Sequence, residues 1–245
     1  MIRPTTRTSA RLLAVALALA CGAAFAQSPA DPAAVPAYRT LDTMEARVQG
    51  CVTCHGQHGQ GTRNDYFPRI AGKPAGYLFN QLRAFRDGTR RYAPMNFLVA
   101  YLTDDYLREI AGYFAGLRPA FNPPQPATVP ANLLDRARSL VRNGDVSRQI
   151  PACMACHGEK LTGTEPGIPG LVGLQPNYIA AQLTRWRTGE RSAAAPDCMH
   201  RVASRLQETD IRALASFLGS LPAPDDPAPQ PRGSARMPLT CGSEP

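Results

Sequence analysis

The chain has 245 residues, with 24 prolines and 20 glycines, and this length allows one or two domains. Only 7% of the residues are aromatic, so ordinary side-chain packing would build a modest core. The formal net charge is +8, but we find no basic helix and no basic run interleaved with aromatic residues. Nucleic acid is therefore not predicted as a partner.

The first 26 residues have the pattern of a secretory signal. Three arginines precede an apolar stretch at 12–20 that is too short to span a membrane, and Ala24-Phe25-Ala26 fits a small-residue cleavage site. Cys21 could instead mark a lipoprotein, but Ala18 stands where such sites usually have Leu or Val. We predict that residues 1–26 are removed and that the mature chain is periplasmic, either free or peripherally associated with the inner membrane.

Two five-residue strings carry the chemistry of this sequence: Cys51-Val52-Thr53-Cys54-His55 and Cys153-Met154-Ala155-Cys156-His157. Cys-x-x-Cys-His is the signature for covalent attachment of a c-type haem. Two thiols three residues apart on a helical turn can each form a thioether with one haem vinyl group, and the histidine that follows can ligate the iron. We predict two covalently attached haem c groups, held by the four cysteines Cys51, Cys54, Cys153 and Cys156 and ligated by His55 and His157.

Other sites can contain a Cys-x-x-Cys pair. In an exported chain it could be a redox disulfide or part of a zinc site, although zinc would need further ligand pairs at suitable spacing. Here a histidine follows both pairs directly, and each string has a methionine at a similar distance downstream. These features favour haem.

Helical segments flank both strings, and the second half repeats the first. We predict helices at 42–51, at 75–87 and at 104–117, the last with Thr103 as its N-cap. The same pattern recurs at an offset of 101 residues, where Tyr178, Gln182, Leu183, Trp186, Arg187, Gly189 and Arg191 repeat Tyr77, Gln81, Leu82, Phe85, Arg86, Gly88 and Arg90. Further helices are predicted at 131–143 and at 209–219, and no strands are predicted. Two repeats of this length indicate a tandem duplication of one domain.

The repeat and two Pro-rich segments predict the domain organisation. It comprises a signal at 1–26, a leader at 27–40, an N-terminal cytochrome c domain at 41–118, a linker at 119–130, a C-terminal cytochrome c domain at 131–220 and a Pro-rich tail at 221–245. The predicted fold class is mostly α, with two tandem domains that each wrap on one covalent haem.

The distal iron ligands are predicted to be Met95 and Met199, because His/Met is the ligand pair of electron-transfer cytochromes c. These methionines follow the histidines of their strings by 40 and 42 residues, and Pro94 predicts an extended approach to the first iron. Met237 is an alternative for the second site, but it lies outside the repeated unit. His200 is the alternative that would give two histidine ligands.

Five side chains at equivalent places in the repeats could donate hydrogen bonds to haem propionates: Tyr77, Tyr178, Trp186, Arg90 and Arg191. The alternative is that the aromatic residues pack against the haem and that the arginines are surface charges. The sequence leaves these two interpretations open.

Cys198 and Cys241 are the remaining cysteines of the mature chain. In an oxidising compartment, an isolated pair is most simply a disulfide. The bridge would hold the Pro-rich tail against the segment that bears Met199, and the first domain has no equivalent.

Taken together, these residues resemble the dihaem cytochrome c4 family of tandem class I c-type cytochromes. The resemblance rests on both Cys-x-x-Cys-His-Gly strings, the Pro-x-x-x-Gly segments after them, Met95 and Met199, and the Pro-rich linker. It implies a periplasmic carrier that passes single electrons from quinol-oxidising complexes towards terminal oxidases. Two alternatives stay open: the electron-acceptor subunit of a periplasmic dehydrogenase complex and a dihaem enzyme. Because two axial ligands leave no open position on either iron, the sequence favours a carrier over an enzyme.

Overall fold

The computed structural model describes residues 42–63, 66–234 and 236–243. The predicted signal at 1–26 and the leader at 27–40 lie outside these ranges. The described residues are mostly helical, which confirms the predicted fold class. In chain order the helices are α1 (Met44–Arg47), α2 (Gln49–His55), α3 (Ala75–Arg86), α4 (Ala93–Val99), α5 (Asp104–Gly116), α6 (Ala131–Arg142), α7 (Met154–His157), α8 (Pro176–Thr188), α9 (Cys198–Ala203) and α10 (Glu208–Gly219).

Two small elements interrupt the helices of the second half. A 3-10 turn spans Val146–Arg148, and strands β1 (Gly163–Thr164) and β2 (Ile168–Pro169) pair antiparallel. The sequence prediction contained no strands, and it was wrong here because a strand of two residues is too short to show an alternating pattern.

In the first half, α3 packs against α4 and α5. Helix α5 begins as predicted, because the Thr103 hydroxyl accepts a hydrogen bond from the Tyr106 backbone N–H at 3.3 Å. Its buried face consists of Leu107, Ile110, Ala111 and Phe114. Burying each large apolar side chain of such a stripe contributes roughly 1.5–3 kcal/mol, so this face fixes how α5 lies on α3.

In the second half, α10 packs against α6 and α8, and α9 packs against α8. The buried core that these helices share includes Leu140, Val141, Ile211, Leu214 and Leu218. The apolar clusters of the first half lie within residues 48–114, apart from this core. The boundaries predicted for the domains at 41–118 and 131–220 stay a prediction.

The linker at 119–130 is fastened to both halves. On the first half, Arg69 donates from its guanidinium to the Pro119 and Ala120 carbonyls at 2.7 and 3.0 Å. On the second half, the Gln125 backbone N–H donates to the Gly219 carbonyl at 2.9 Å.

Within the described part of the chain, no helix is both long and apolar enough to cross a membrane.

A buried ion cluster joins α6, the 3-10 turn and α10. Asp210 is buried and accepts hydrogen bonds from Arg136 at 3.2 Å and from Arg148 at 2.7 Å. The same carboxylate accepts the Gln207 backbone N–H at 3.0 Å, which caps α10. Arg136 also forms an ion pair with Asp145 at 2.7 Å.

We expect Asp210→Asn to lower the free energy of unfolding by about 3 kcal/mol, because it removes a carboxylate and leaves two partly buried guanidinium groups underpaired. Asp135→Asn is the control, since Asp135 forms an exposed pair with Arg138 and its loss should cost less than about 1 kcal/mol. Denaturant unfolding of both variants measures the difference. Equal stability of the two variants would contradict the expectation.

Candidate haem sites

The first site begins at the end of α2, where Cys51, Cys54 and His55 lie on one helix. Gly56 ends this helix with a φ of 83°, a conformation open to glycine, and a Cβ there would come within 2.7 Å of the Gln60 side chain. The chain can therefore turn directly after the histidine and leave its imidazole facing inward.

A backbone carbonyl orients the imidazole of His55. Its Nδ1 donates to the Pro68 carbonyl at 2.8 Å, which leaves the Nε2 lone pair free to bind a metal. Burial lowers the pKa of His55, and the charge of Arg90 adds to this effect. The residue is therefore held in the neutral form that ligates iron.

The second site repeats this arrangement at α7. The Nδ1 of His157 donates to the Pro169 carbonyl at 2.7 Å, and burial lowers the pKa of this histidine as well. Gly158 again follows with a φ of 85°. The repeated Pro-x-x-x-Gly segments therefore have a role that the sequence did not reveal, because their prolines supply the carbonyls that orient the two imidazoles.

The cysteine thiols lie in surroundings that oppose the thiolate. Burial raises the pKa of Cys51 to about 11 and that of Cys153 to about 12. Zinc binding and disulfide exchange both need thiolates, which proteins favour by lowering this pKa. Within the described ranges, no group of three or more His, Cys, Asp or Glu could hold a metal ion. These surroundings do not favour the thiolates that a zinc site or a reactive disulfide needs.

Each string opens into a large cavity. The first has a volume of about 670 Å³ and is lined by Cys51, Cys54, His55 and Met95. The second has a volume of about 720 Å³ and is lined by Cys153, Cys156, His157 and Met199. Both volumes lie in the roughly 300–1,000 Å³ range of small-molecule and cofactor sites.

Both predicted distal methionines lie on short helices. Met95 lies in the first turn of α4, so the predicted extended approach was wrong. Pro94 is compatible with this turn because a helix N-terminus does not use the N–H that proline lacks. Met199 follows the first residue of α9, which Asp197 caps by accepting the His200 backbone N–H at 3.0 Å.

The structure argues against one of the two alternatives for the second distal ligand. His200 is exposed, does not line the cavity, and donates from Nδ1 to the Trp186 carbonyl at 2.7 Å. Met237 does line the cavity, together with Leu239 of the tail. Two methionines, Met199 and Met237, therefore line the second cavity. The sequence repeat is what favours Met199 as the ligand.

The disulfide between Cys198 and Cys241 is present, with Cα atoms 5.4 Å apart. It places tail residues in the wall of the second cavity, directly beside the helix that bears Met199. Earlier in the tail, Gln230 forms backbone hydrogen bonds with Gly163 and Glu165. The tail is thus part of the second site and is not a free extension.

The first cavity has a different rim. Phe97 and Leu98 line it, yet Phe97 is 82% exposed, and nearby Tyr101 is 94% exposed. Tyr66, also exposed, stacks on Tyr92 with ring centroids 6.4 Å apart. We did not predict this apolar surface from the sequence. The signal was available, because a helix predicted at α4 would have had the neighbouring apolar residues Phe97 and Leu98 on its outer side.

A polar cluster lies between the cavities and follows the repeat. Arg90 donates to Gln81 at 2.9 Å, and Arg191 donates to Gln182 at 2.8 Å. Across the interface, Arg90 donates to Gln182 at 3.2 Å and Arg191 donates to Gln81 at 2.6 Å. Arg90 also donates to the Tyr178 hydroxyl at 2.8 Å. Each arginine therefore donates to the glutamine of its own half and to that of the other half, and this nearly symmetric set of hydrogen bonds joins the two halves.

The arginines of this cluster are buried, so the interpretation of them as surface charges was wrong. Arg90 is 8% exposed and Arg191 is 2% exposed, and they stack on Phe85 and Trp186 at 4.4 and 3.6 Å from the ring centroids. In the described part of the chain, no carboxylate lies within 4.0 Å of either guanidinium. Buried cations need an anion, and a haem would bring two propionates to each cavity.

One orphaned atom supports the fit of a haem in the second cavity. The indole Nε1 of Trp186 is buried and has no acceptor among the described residues, and Trp186 lines the cavity. A buried N–H without a partner costs roughly 1–3 kcal/mol. A propionate oxygen is an acceptor that would satisfy it, so the residues present fit the group that the motif predicts.

The helical fold and the two cavities, each lined by the cysteines and histidine of a Cys-x-x-Cys-His string and by a methionine, define a tandem c-type cytochrome. No protein-family model matches the chain. The sequence is 36% identical over 213 residues to a thiosulfate dehydrogenase electron acceptor of Thiomonas intermedia, covering 86% of this chain and 91% of the relative. It is 32% identical over 179 residues to a cytochrome c4 of Pseudomonas aeruginosa, covering 72% and 86%.

Solved structures agree with these relatives. The reduced cytochrome c4 of Pseudomonas stutzeri matches with a TM-score of 0.65 at 30% identity, covering 72% of this chain and 96% of that one. A thiosulfate dehydrogenase of Marichromatium purpuratum matches with a TM-score of 0.64 at 34% identity, covering 70% of this chain but 36% of that one. The chain belongs to the dihaem cytochrome c4 family. Its cytochrome c4 relatives are dihaem electron-transfer proteins and not enzymes.

Proposed function

We propose that this chain is a periplasmic dihaem carrier that accepts single electrons from a periplasmic dehydrogenase and passes them towards a terminal oxidase. The observation that carries the electron-transfer role is the pairing of an oriented histidine with a methionine in each of two cavities. When bound, each haem supplies a one-electron iron couple. With one histidine and one methionine as ligands, each iron would have no coordination position left for a substrate.

The chain's own residues account for how the haems would be held. Cys51 and Cys54 would anchor the first haem, and Cys153 and Cys156 the second. His55 and His157, each fixed through Nδ1, would present Nε2 to the irons. The buried arginine cluster lines both cavities, and it would keep the propionate edges of the two haems at the shared interface.

The dehydrogenase is proposed to be a thiosulfate dehydrogenase, because two relatives that match most of their own length are named as electron acceptors of that enzyme. A second candidate donor is a quinol-oxidising complex, supported by the relatives named cytochrome c4. The periplasmic location is supported by the signal-like pattern at 1–26 and by the disulfide, which an oxidising compartment favours.

A reduction assay tests the proposal. Oxidised protein with both haems attached is mixed with thiosulfate and purified thiosulfate dehydrogenase, and haem reduction is followed by stopped-flow absorbance. We expect complete reduction of both haems that depends on the enzyme, with thiosulfate alone as the control. The same protein is mixed in parallel with a quinol-oxidising complex and quinol. Faster reduction there would favour the second donor, and no reduction by either would contradict the carrier role.

A further inference from the structure

Lys73 is a buried cation that belongs to one half of the protein and contacts the other. It precedes α3 and is 8% exposed. Its Nζ donates to the Gly170 carbonyl at 2.7 Å, and the residue lines both cavities. In the described residues, no carboxylate lies within 4.0 Å of this ammonium group. A lysine in this position needs an anion nearby, because burial of an uncompensated charge costs several kcal/mol.

This charge breaks the symmetry of the interface. Arg90 and Arg191 occupy equivalent positions in the repeat, so their charges serve the two sites alike. The position equivalent to Lys73 is Leu174, an apolar wall residue of the second cavity. Arg69 is a second cation without a charged equivalent, but it lines the first cavity alone and donates to linker carbonyls. Lys73 lines both cavities and is therefore an unshared charge in the wall between the sites.

The hydrogen bond of Lys73 is made to the second site. Its acceptor, Gly170, follows Pro169 directly, and the Pro169 carbonyl is the one that orients His157. The hydrogen bond therefore ties Lys73 to the backbone segment that orients the proximal histidine of the second site.

A positive charge beside a haem opposes the ferric state, because the oxidised iron carries one more positive charge than the reduced iron. The effect is larger at the nearer haem, since the interaction falls with distance and little water screens a buried group. We propose that Lys73 is a positioning residue that acts across the interface. Its ammonium group is a counter-ion for propionate, and it raises the reduction potential of the haem at His157 more than that of the haem at His55.

The test compares Lys73→Gln with Lys73→Arg. Glutamine removes the charge but keeps a donor for the Gly170 carbonyl, and arginine keeps the charge. Potentiometric titration with optical detection gives both potentials, and Met95→His and Met199→His backgrounds assign each wave to its haem. We expect K73Q to shift the reduction equilibrium of the second haem about tenfold towards the oxidised form, which is about 59 mV for one electron. The first haem should shift by less than half of this, and K73R should leave both potentials nearly unchanged.

The inference rests on the proposed attachment of two haems and not on the identity of the donor. Haems are counted before the titration, so a protein without two haems would contradict the proposed function. Two haems whose potentials are unchanged in K73Q, or shift by the same amount, would overturn the inference alone. A shift in K73R as large as that in K73Q would also overturn it, because the effect would then be one of packing. If K73Q does not accumulate, Lys73→Met keeps the apolar stem and serves as the uncharged variant.

Discussion

Replacing Met95 with alanine is expected to make the first haem bind carbon monoxide when reduced and to remove about half of the near-infrared methionine–iron absorption. Among the described residues, Met95 is the methionine that lines the first cavity. Loss of this ligand should also lower the potential of the first haem by several times the ~59 mV that corresponds to a tenfold change, because methionine ligation favours the reduced iron. Optical titration with and without carbon monoxide measures both effects.

The second site provides the matched comparison, because two methionines line its cavity. Met199→Ala should remove the other half of the near-infrared absorption, whereas Met237→Ala should leave it intact. The wild-type protein should bind no carbon monoxide. Loss of the absorption in M237A with retention in M199A would show that the tail and not α9 supplies the second ligand. Retention of the full absorption in M95A would contradict the assignment of the first.

Replacing both Cys198 and Cys241 with serine is expected to lower the free energy of unfolding by about 4 kcal/mol. The two residues are 43 positions apart, and the chain-entropy model gives a value of about this size for a loop of that length. Because the bridge joins α9 to the tail in the wall of the second cavity, the loss should be felt at the second haem first. Denaturant unfolding followed through the near-infrared absorption measures the stability and its location.

The double variant is preferable to either single one, since a lone thiol beside a haem cavity could react. Asp135→Asn, which removes an exposed ion pair, is the control for a substitution that should not matter. A loss of stability below about 1 kcal/mol in the double cysteine variant would show that the tail is held by its other contacts. Those contacts include the backbone hydrogen bonds of Gln230 to Gly163 and Glu165.

Several features could be predicted from the sequence because they depend on local chemistry. Thioether attachment and iron ligation need two thiols and an imidazole on one helical turn, and that spacing is visible in the strings at Cys51 and Cys153. The buried face of α5 and its Thr103 cap follow from a helical period and a side-chain hydrogen bond. The disulfide partners followed because two cysteines remained.

The predictions that failed concern residues whose environment is set by segments distant in the sequence. Met95 was expected on an extended segment, but α4 forms there because it packs against α3. Arg90 and Arg191 have polar neighbours in the sequence, yet each is buried and donates a hydrogen bond to a glutamine of the other half. A pattern along one segment cannot show what a second domain will cover.

The sequence by itself therefore determined two Cys-x-x-Cys-His strings, a mostly helical fold and a disulfide bridge in the second half. These features depend on residue types at short spacing along the chain, and not on how distant segments pack together. Only the tertiary structure decided how the sites differ and how they meet. It brought the tail with Met237 into one cavity and left Phe97 exposed at the other. It also placed Lys73 between the two sites, because that position depends on the packing of one half against the other.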